Sequence, residues 1–224
     1  MATDAPPRWS GRLTAWLLFV LAVVTLGYAG QVAGNQAPDD LAYRYSAAIA
    51  SVIQFGFFLA IVLLIARGLS WRDAFALRRP PSWPRAIGLV AASWVAILIL
   101  SAALFPLLDA TEEQGLVPDK WDSSRAGAFL AFAVAVTFIG PVVEELIFRG
   151  LGFTLLAGYG NRVAIVSTGF LFGIWHGLLI ALPVLTAFGI LLGWLRARTG
   201  SLYPCILLHA IFNGIAVASV PVLG

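Results

Sequence analysis

The chain has 224 residues, of which 60% are hydrophobic and only 11% are charged, and its mean hydropathy is +0.91. A soluble domain of this length could not bury so much apolar surface, so the composition excludes an ordinary soluble fold. The net charge of +3 comes from arginines scattered through short polar connections, which argues against nucleic acid as a partner. The single cysteine, Cys205, excludes an internal disulfide, and no CxxC or Cys/His tract indicates a structural zinc site or an iron–sulfur cluster.

Apolar runs of roughly 20 residues, the length that crosses a bilayer as a helix, follow one another along the chain. They predict an all-α fold: a polytopic transmembrane helix bundle of about seven spans, in a single membrane domain that covers 1–224. The predicted spans are 13–30, 45–66, 86–108, 126–156 with a proline inside it, 162–180, 182–199 and 202–222.

Two segments near the start need their own interpretation. The first span follows Arg8 and Arg12 and precedes small residues, as a signal peptide does, but its apolar stretch is longer than a usual signal core. We therefore expect a retained first helix, with cleavage as the alternative. The segment 67–85 is predicted to be an amphipathic cytoplasmic linker at the lipid surface because it contains Trp71, Phe75, Leu77 and the Pro80-Pro81 pair.

The connections between the predicted spans alternate in charge. One side holds Arg8, Arg12, Arg67, Arg72, Arg78, Arg79, Arg85, Arg149, Arg162, Arg196 and Arg198. The other side holds Arg44, Lys120 and Arg125 together with Asp39, Asp40, Asp109, Glu112, Glu113, Asp119 and Asp122. By the positive-inside rule, this pattern predicts a multi-pass protein of the cytoplasmic (inner) membrane, with its N-terminus in the cytoplasm and its C-terminus outside.

Polar groups inside the spans are concentrated in three places. An ionisable side chain at the centre of a span costs about 2.5–3.5 kcal/mol on insertion scales, so each one requires an explanation. The three segments, on spans four, five and seven, are Glu144-Glu145-Leu146-Ile147-Phe148-Arg149, Phe172-Gly173-Ile174-Trp175-His176 and His209-Ala210-Ile211-Phe212-Asn213. Helical spacing predicts an ion pair between Glu145 and Arg149, with Glu144 pointing about 100° away from them.

Residues four apart also share a face in the other two segments. Phe172 lies over His176, and His209 lies over Asn213. At about 1.5 Å of rise per residue, Glu144, His176, His209 and Asn213 fall at similar depth, near the middle of the bilayer or slightly to its cytoplasmic side. Spans four, five and seven are therefore predicted to form one site.

Each of these groups alone has an ordinary structural explanation. A histidine can bond to a backbone carbonyl, a Glu–Arg pair can be structural, and an asparagine commonly joins two membrane helices. We interpret Phe148, Phe172 and Trp175 as packing residues. Cys205 lies one turn before His209, which would allow a Cys–His nucleophile pair, but apolar surroundings disfavour the thiolate, so we do not expect one. Three polar groups at one depth, however, indicate a function.

The motifs Glu-Glu-x-x-x-Arg, Phe-x-x-x-His and His-x-x-x-Asn, in this order on successive spans, resemble those of the CPBP intramembrane proteases. This family, also called ABI, includes the Ras-converting CAAX endopeptidases and bacteriocin-processing or immunity proteins. The resemblance covers about 126–215, and the first three spans are not diagnostic. It implies an intramembrane endopeptidase in which a glutamate activates water to hydrolyse a peptide bond.

The resemblance also implies roles for individual residues. Glu144 would be the general base, His176 would hold the water, and His209 and Asn213 would form the oxyanion hole. The supporting residues would be Glu145, Arg149 and Phe172.

Two alternatives stay open at this stage. No cofactor is favoured, but Glu144, His176 and His209 could also serve as three zinc ligands, so the enzyme is either glutamic-type or metallo-type. The alternative function is a non-proteolytic immunity, binding or transport protein that uses the same polar cluster. The expected partners are a peptide or membrane-protein substrate and the lipid bilayer. The sequence leaves the substrate and the oligomeric state undetermined.

Overall fold

The computed structural model describes residues 10–34, 38–108, 118 and 120–223. Within these residues the chain is helical and contains no strand, which confirms the all-α prediction. The helices are α1 (Gly11–Val32), α2 (Tyr45–Ile65), α3 (Trp71–Ala74), α4 (Trp83–Leu108), α5 (Ala126–Val134), α6 (Gly140–Glu145), α7 (Phe153–Ala157), α8 (Asn161–Trp175), α9 (Leu182–Thr199) and α10 (Tyr203–Leu223). Short 3₁₀ turns occupy Leu41–Tyr43 and Ser123–Arg125.

Five described helical segments are long and apolar enough to cross a bilayer. They are Gly11–Val32, Tyr45–Ile65, Trp83–Leu104, Ser123–Ala157 and Tyr203–Val220. The chain is therefore a multi-pass membrane protein, but the predicted count of about seven spans is not confirmed.

The two remaining predicted spans correspond to α8 and α9. Helix α8 has 15 residues, about 22 Å of helix, against a hydrocarbon core of about 30 Å. It ends at Trp175 rather than near 180, because the chain turns at Gly177, whose φ of +71° suits glycine. Helix α9 has 18 residues but carries Arg196 and Arg198 in its last turn.

Helices α8 and α9 pack backbone to backbone. A Cβ atom added at Gly169 would lie 2.7 Å from the Ile190 amide nitrogen, and one added at Gly189 would lie 2.6 Å from the Gly169 carbonyl oxygen. Small residues at such crossings let membrane helices approach closely. The crossing brings the Gly189 carbonyl to within hydrogen-bond distance of Arg149, four residues after Glu145.

The fourth predicted span contains a π-helical segment at Ala135–Ile139, just before Pro141. In the π register a carbonyl accepts from the amide five residues later, as Ala135 does from Gly140. The next carbonyl, that of Val136, therefore faces the nitrogen of Pro141, which has no hydrogen. Nδ2 of Asn213 donates to this carbonyl at 2.8 Å instead. Helix α10 thus completes a hydrogen bond that the fourth span cannot make for itself.

A second π-helical segment, Leu146–Gly152, is held by side chains from two other helices. Nε1 of Trp16 donates to the Ile147 carbonyl at 2.9 Å, and Nε of Arg196 donates to the Arg149 carbonyl at 3.1 Å. Trp16 is fully buried. Helix α1, which carries none of the three motifs, is therefore part of the core that supports the site.

The segment 67–85 is only partly the surface linker that its sequence predicts. Trp71 is 55% exposed, as expected of a residue at the lipid surface, but Phe75 is 1% exposed and packs against Gly150. The Leu202 amide donates to the Ala76 carbonyl at 3.1 Å. The prediction was wrong for the centre of the segment, because a short apolar pattern does not distinguish a lipid-facing side chain from a protein-facing one.

The connections meet in two groups, at opposite ends of α2. At one end Arg12 donates to the Arg67 carbonyl at 3.2 Å, and at the other Arg125 contacts Asp40 at 2.9 Å. This agrees with the predicted alternation of the loops, whereas the end that faces the cytoplasm stays a prediction. Outside the described residues lie Arg8, Asp109, Glu112, Glu113 and Asp119.

Candidate active site

Glu144, at the end of α6, faces two histidines. Its Oε2 lies 3.7 Å from Nε2 of His176, the residue that caps α8, and 3.8 Å from Nε2 of His209 on α10. Both distances are too long for direct hydrogen bonds. The structure therefore brings three of the four predicted catalytic residues around one common point, from three different helices.

The far nitrogen of each histidine ring is hydrogen-bonded. Nδ1 of His176 lies 2.8 Å from the Phe172 carbonyl, which can only accept, so this nitrogen carries a proton. Nδ1 of His209 lies 3.0 Å from Oε1 of Glu145, a carboxylate that Arg149 keeps paired, so it also donates. A neutral ring then has a lone pair at Nε2. Each histidine presents that lone pair towards Glu144 and donates from Nε2 only as an imidazolium.

The predicted ion pair between Glu145 and Arg149 is present and completely buried. Nη1 of Arg149 lies 3.1 Å from Oε1 of Glu145, and both side chains have 0% exposure. Nη2 of Arg149 also donates to the Gly189 carbonyl at 2.8 Å. Further hydrogen bonds compensate part of the hydration that a buried pair loses, and Gly189 and His209 provide two of them here. Nε of Arg149 and Oε2 of Glu145 are buried without a partner.

Phe172 packs against both histidine rings and against Arg149. Its ring centroid lies 4.7 Å from that of His176 and 5.4 Å from that of His209, and the Arg149 guanidinium lies 4.4 Å from it. The side chain is 1% exposed. It is thus a packing residue, as predicted, and its packing restricts the rotation of both histidine rings.

Asn213 and Cys205 are placed differently from the three converging groups. One of the two hydrogens on Nδ2 of Asn213 bonds to the Val136 carbonyl, which leaves one free to donate elsewhere. Cys205 is fully buried, and its Sγ donates to the Leu192 carbonyl at 3.4 Å.

Residues 126–215 match the family model of type II CAAX prenyl endopeptidase Rce1-like proteins. The matched segment contains all three motifs. This part of the chain is therefore similar to the CAAX proteases that the family model describes. The match confirms the resemblance inferred from the motifs and supports a membrane-embedded protease that acts on a peptide or protein. No curated protein and no solved structure matches the chain.

Several residues that support the candidate site have no motif in the sequence that indicates this role. In the sequence, Trp16 is one of several aromatic residues in apolar runs. Arg196 looks like the other arginines that mark one side of the membrane. Gln31 donates from Nε2 to the Gly177 carbonyl, next to His176. Their roles depend on which backbone carbonyls other helices leave within reach, and spacing along one helix does not show this.

Access to the site is from the side of His176. Its side chain is 24% exposed, against 12% for Glu144 and 3% for His209. His176 also lies at the turn between α8 and α9 rather than inside a span, because α8 ends one residue earlier. Of the three groups, His176 is therefore the most exposed.

Whether Glu144, His176 and His209 serve as zinc ligands stays a prediction. Among the described residues, no group of three or more His, Cys, Asp or Glu side chains is arranged to hold a metal ion. Zinc accepts histidine Nε2 lone pairs and carboxylate oxygens, so the metallo-type alternative stays open. No step below depends on a metal.

Proposed function

We propose that the protein is an intramembrane endopeptidase that hydrolyses a peptide bond of a peptide or membrane-protein substrate with water activated by Glu144. The observation that carries the proposal is the convergence of Glu144 Oε2 with the two histidine Nε2 atoms, at 3.7 and 3.8 Å. Polar groups at this separation are commonly bridged by one water molecule. The family match over the same residues supports a protease.

Glu144 acts as the general base. The water donates one hydrogen to its carboxylate and the other to the Nε2 lone pair of His176, so the lone pair of the water oxygen is free to attack the scissile carbonyl carbon. As the C–O bond forms, the proton moves to Glu144. The resulting carboxylic acid then gives the proton to the leaving amine as the C–N bond breaks. Such proton transfers contribute about 10²–10⁴-fold to rate.

The oxyanion of the tetrahedral intermediate is stabilised by His209 and Asn213. His209 donates from Nε2 in its imidazolium form, while Nδ1 keeps its hydrogen bond to Glu145. Asn213 donates with the Nδ2 hydrogen that Val136 leaves free. Glu145, Arg149 and Phe172 are positioning residues, because they hold the ring of His209 and the helix that carries Glu144.

The test is a cleavage assay in proteoliposomes. Purified wild type, Glu144→Gln and His176→Ala are incubated with quenched fluorescent peptides, one ending in a prenylated CAAX sequence and others containing model transmembrane segments. We expect wild type to cleave at least one peptide, and both variants to be at least about a hundredfold slower. Arg198→Gln, which changes an exposed residue outside the site, is the control and should keep full activity. Equal cleavage by wild type and Glu144→Gln would refute this mechanism.

A further inference from the structure

The arginine-rich end of the bundle has a cleft of about 340 Å³, between the short helix α3, the end of α7, the start of α8 and the end of α9. None of the four proposed catalytic residues lines it. The cleft is therefore separate from the candidate active site and has to be explained on its own.

Arg196 lies in the wall of this cleft and is only 6% exposed. Its Nε donates to the Arg149 carbonyl, and its guanidinium lies 5.1 Å from the Phe153 ring centroid. Within the described part of the chain, no carboxylate lies at salt-bridge distance from it. A buried charge without a partner is costly. Arg149, which is also buried, is paired with Glu145, whereas Arg196 has no such counter-charge among the described residues.

Apart from Asp73, the other polar groups that line the cleft can also donate hydrogen bonds. Arg78 lines it, with Nε fixed by the Gly200 carbonyl at 2.9 Å. Asn161 begins α8, and no side chain caps the free amides of that helix end, which carries partial positive charge. Oγ1 of Thr154 is buried without a partner. The opposing group is Asp73, which is 72% exposed and lies 3.7 Å from Arg78, so it neutralises the cleft only weakly.

Topology alone does not account for Arg196. An arginine in the last turn of a helix offsets the negative end of the helix dipole, and arginines mark one side of a membrane protein. Arg198 does both while it remains exposed to solvent. The burial of Arg196 in a cleft of donors instead indicates an anionic ligand.

The position of the cleft indicates where that ligand comes from. Trp71 begins α3 and is 55% exposed, and Trp83 begins α4 and is 41% exposed. Tryptophan concentrates at the membrane interface. A basic pocket between helices at that level is a site for an anionic lipid headgroup.

We propose that this cleft binds the phosphate group of an anionic membrane lipid, with Arg196 and Arg78 as its principal ligands. Because Arg196 also donates to the Arg149 carbonyl, a lipid bound here stabilises the π-helical segment that follows Glu144 and Glu145. The site does not depend on the proposed proteolysis.

The experiment measures the thermal unfolding midpoint of the full-length protein in detergent, titrated with phosphatidylglycerol, phosphatidylcholine or inorganic phosphate. A ligand that binds the folded state raises the midpoint. We expect phosphatidylglycerol to raise it at concentrations where the other two do not. Arg196→Gln should weaken this response about tenfold or more, since it removes charge-assisted hydrogen bonds. Arg198→Gln, with the same change of charge two residues away, should respond like wild type.

Two further variants keep the test decisive if Arg196→Gln does not fold. Arg78→Gln should also weaken the response, and Asp73→Asn should strengthen it. Native mass spectrometry of the same samples should show fewer bound phosphatidylglycerol molecules for Arg78→Gln than for wild type. Equal responses to the two lipids, or equal losses for the Arg196 and Arg198 variants, would overturn the proposal. A response to inorganic phosphate with no preference for phosphatidylglycerol would assign the cleft to a soluble phosphate and overturn the lipid assignment.

Discussion

Glu145 and His209 are joined by a fully buried hydrogen bond, in which Nδ1 of the ring lies 3.0 Å from Oε1 of the carboxylate. The same oxygen accepts from Arg149. Two adjacent glutamates therefore have unequal environments. Oε1 of Glu145 accepts from two side chains inside the protein, whereas Oε2 of Glu144, which faces the two histidines, has no hydrogen-bond partner there.

Glu145→Gln should destabilise the protein strongly. The substitution leaves the charge of Arg149 buried and unpaired, which costs about 3–5 kcal/mol. Chemical unfolding in detergent micelles, followed by circular dichroism, measures the change. Glu144→Gln is the matched control and should unfold nearly like wild type, because no arginine among the described residues lies at salt-bridge distance from Glu144. Since the cost lies in the unpaired cation, Glu145→Gln combined with Arg149→Met should recover part of the loss. Equal stability of the two single variants would show that the pair does not stabilise the fold.

Trp16→Phe should lower stability by about 1–3 kcal/mol, because it leaves the Ile147 carbonyl without its indole donor inside the protein. The same unfolding measurement applies. Trp71→Phe, at a position that is 55% exposed, is the control and should change little. If the Trp16 variant matched this control, the indole bond would not be needed to hold the second π-helical segment.

Gly189→Ala should reduce both stability and cleavage. The added methyl group would meet backbone atoms of Gly169, which cannot move aside as a side chain would, and overpacking typically costs about 1–3 kcal/mol. The shift also displaces the carbonyl that accepts from Arg149. Gly88→Ala places its methyl group where nothing lies within 4 Å and should be neutral or slightly stabilising. A Gly189 variant as stable and active as wild type would rule out a close crossing of α8 and α9.

Cleavage should survive rigorous chelation. In the proposed mechanism Glu144 and the histidines activate water directly, so wild type treated with a chelator and passed over a desalting column should keep its rate. Glu144→Gln should be inactive with and without treatment. Loss of activity on chelation that added zinc restores would instead favour the metallo-type alternative.

The local relationships within the candidate site were predictable because they depend on spacing along one helix. The buried Glu145–Arg149 pair follows from a separation of four residues, and the convergence of Glu144 with two histidines follows from their similar depth. The end of α8 was not predictable from composition, because apolar residues continue past Gly177, where the backbone turns.

The π-helical segments were missed for a different reason. Pro141 indicates that a carbonyl in the preceding turn loses its donor, but the sequence does not show which side chain replaces that donor. Val136 and Asn213 are 77 positions apart, and Trp16 and Ile147 are 131 apart. Such pairs are determined by how the helices pack, which no local pattern encodes.

The bond from Asn213 to the Val136 carbonyl has a consequence for biosynthesis. A carbonyl without a donor is costly in hydrocarbon, and the residue that satisfies this one is on α10, which is synthesised after the fourth span. The helix that carries Glu144 therefore cannot reach its final form while the chain is still being inserted. A nascent chain that lacks α10 lacks His209 and Asn213 as well, so the proposed site would stay incomplete until α10 has been inserted.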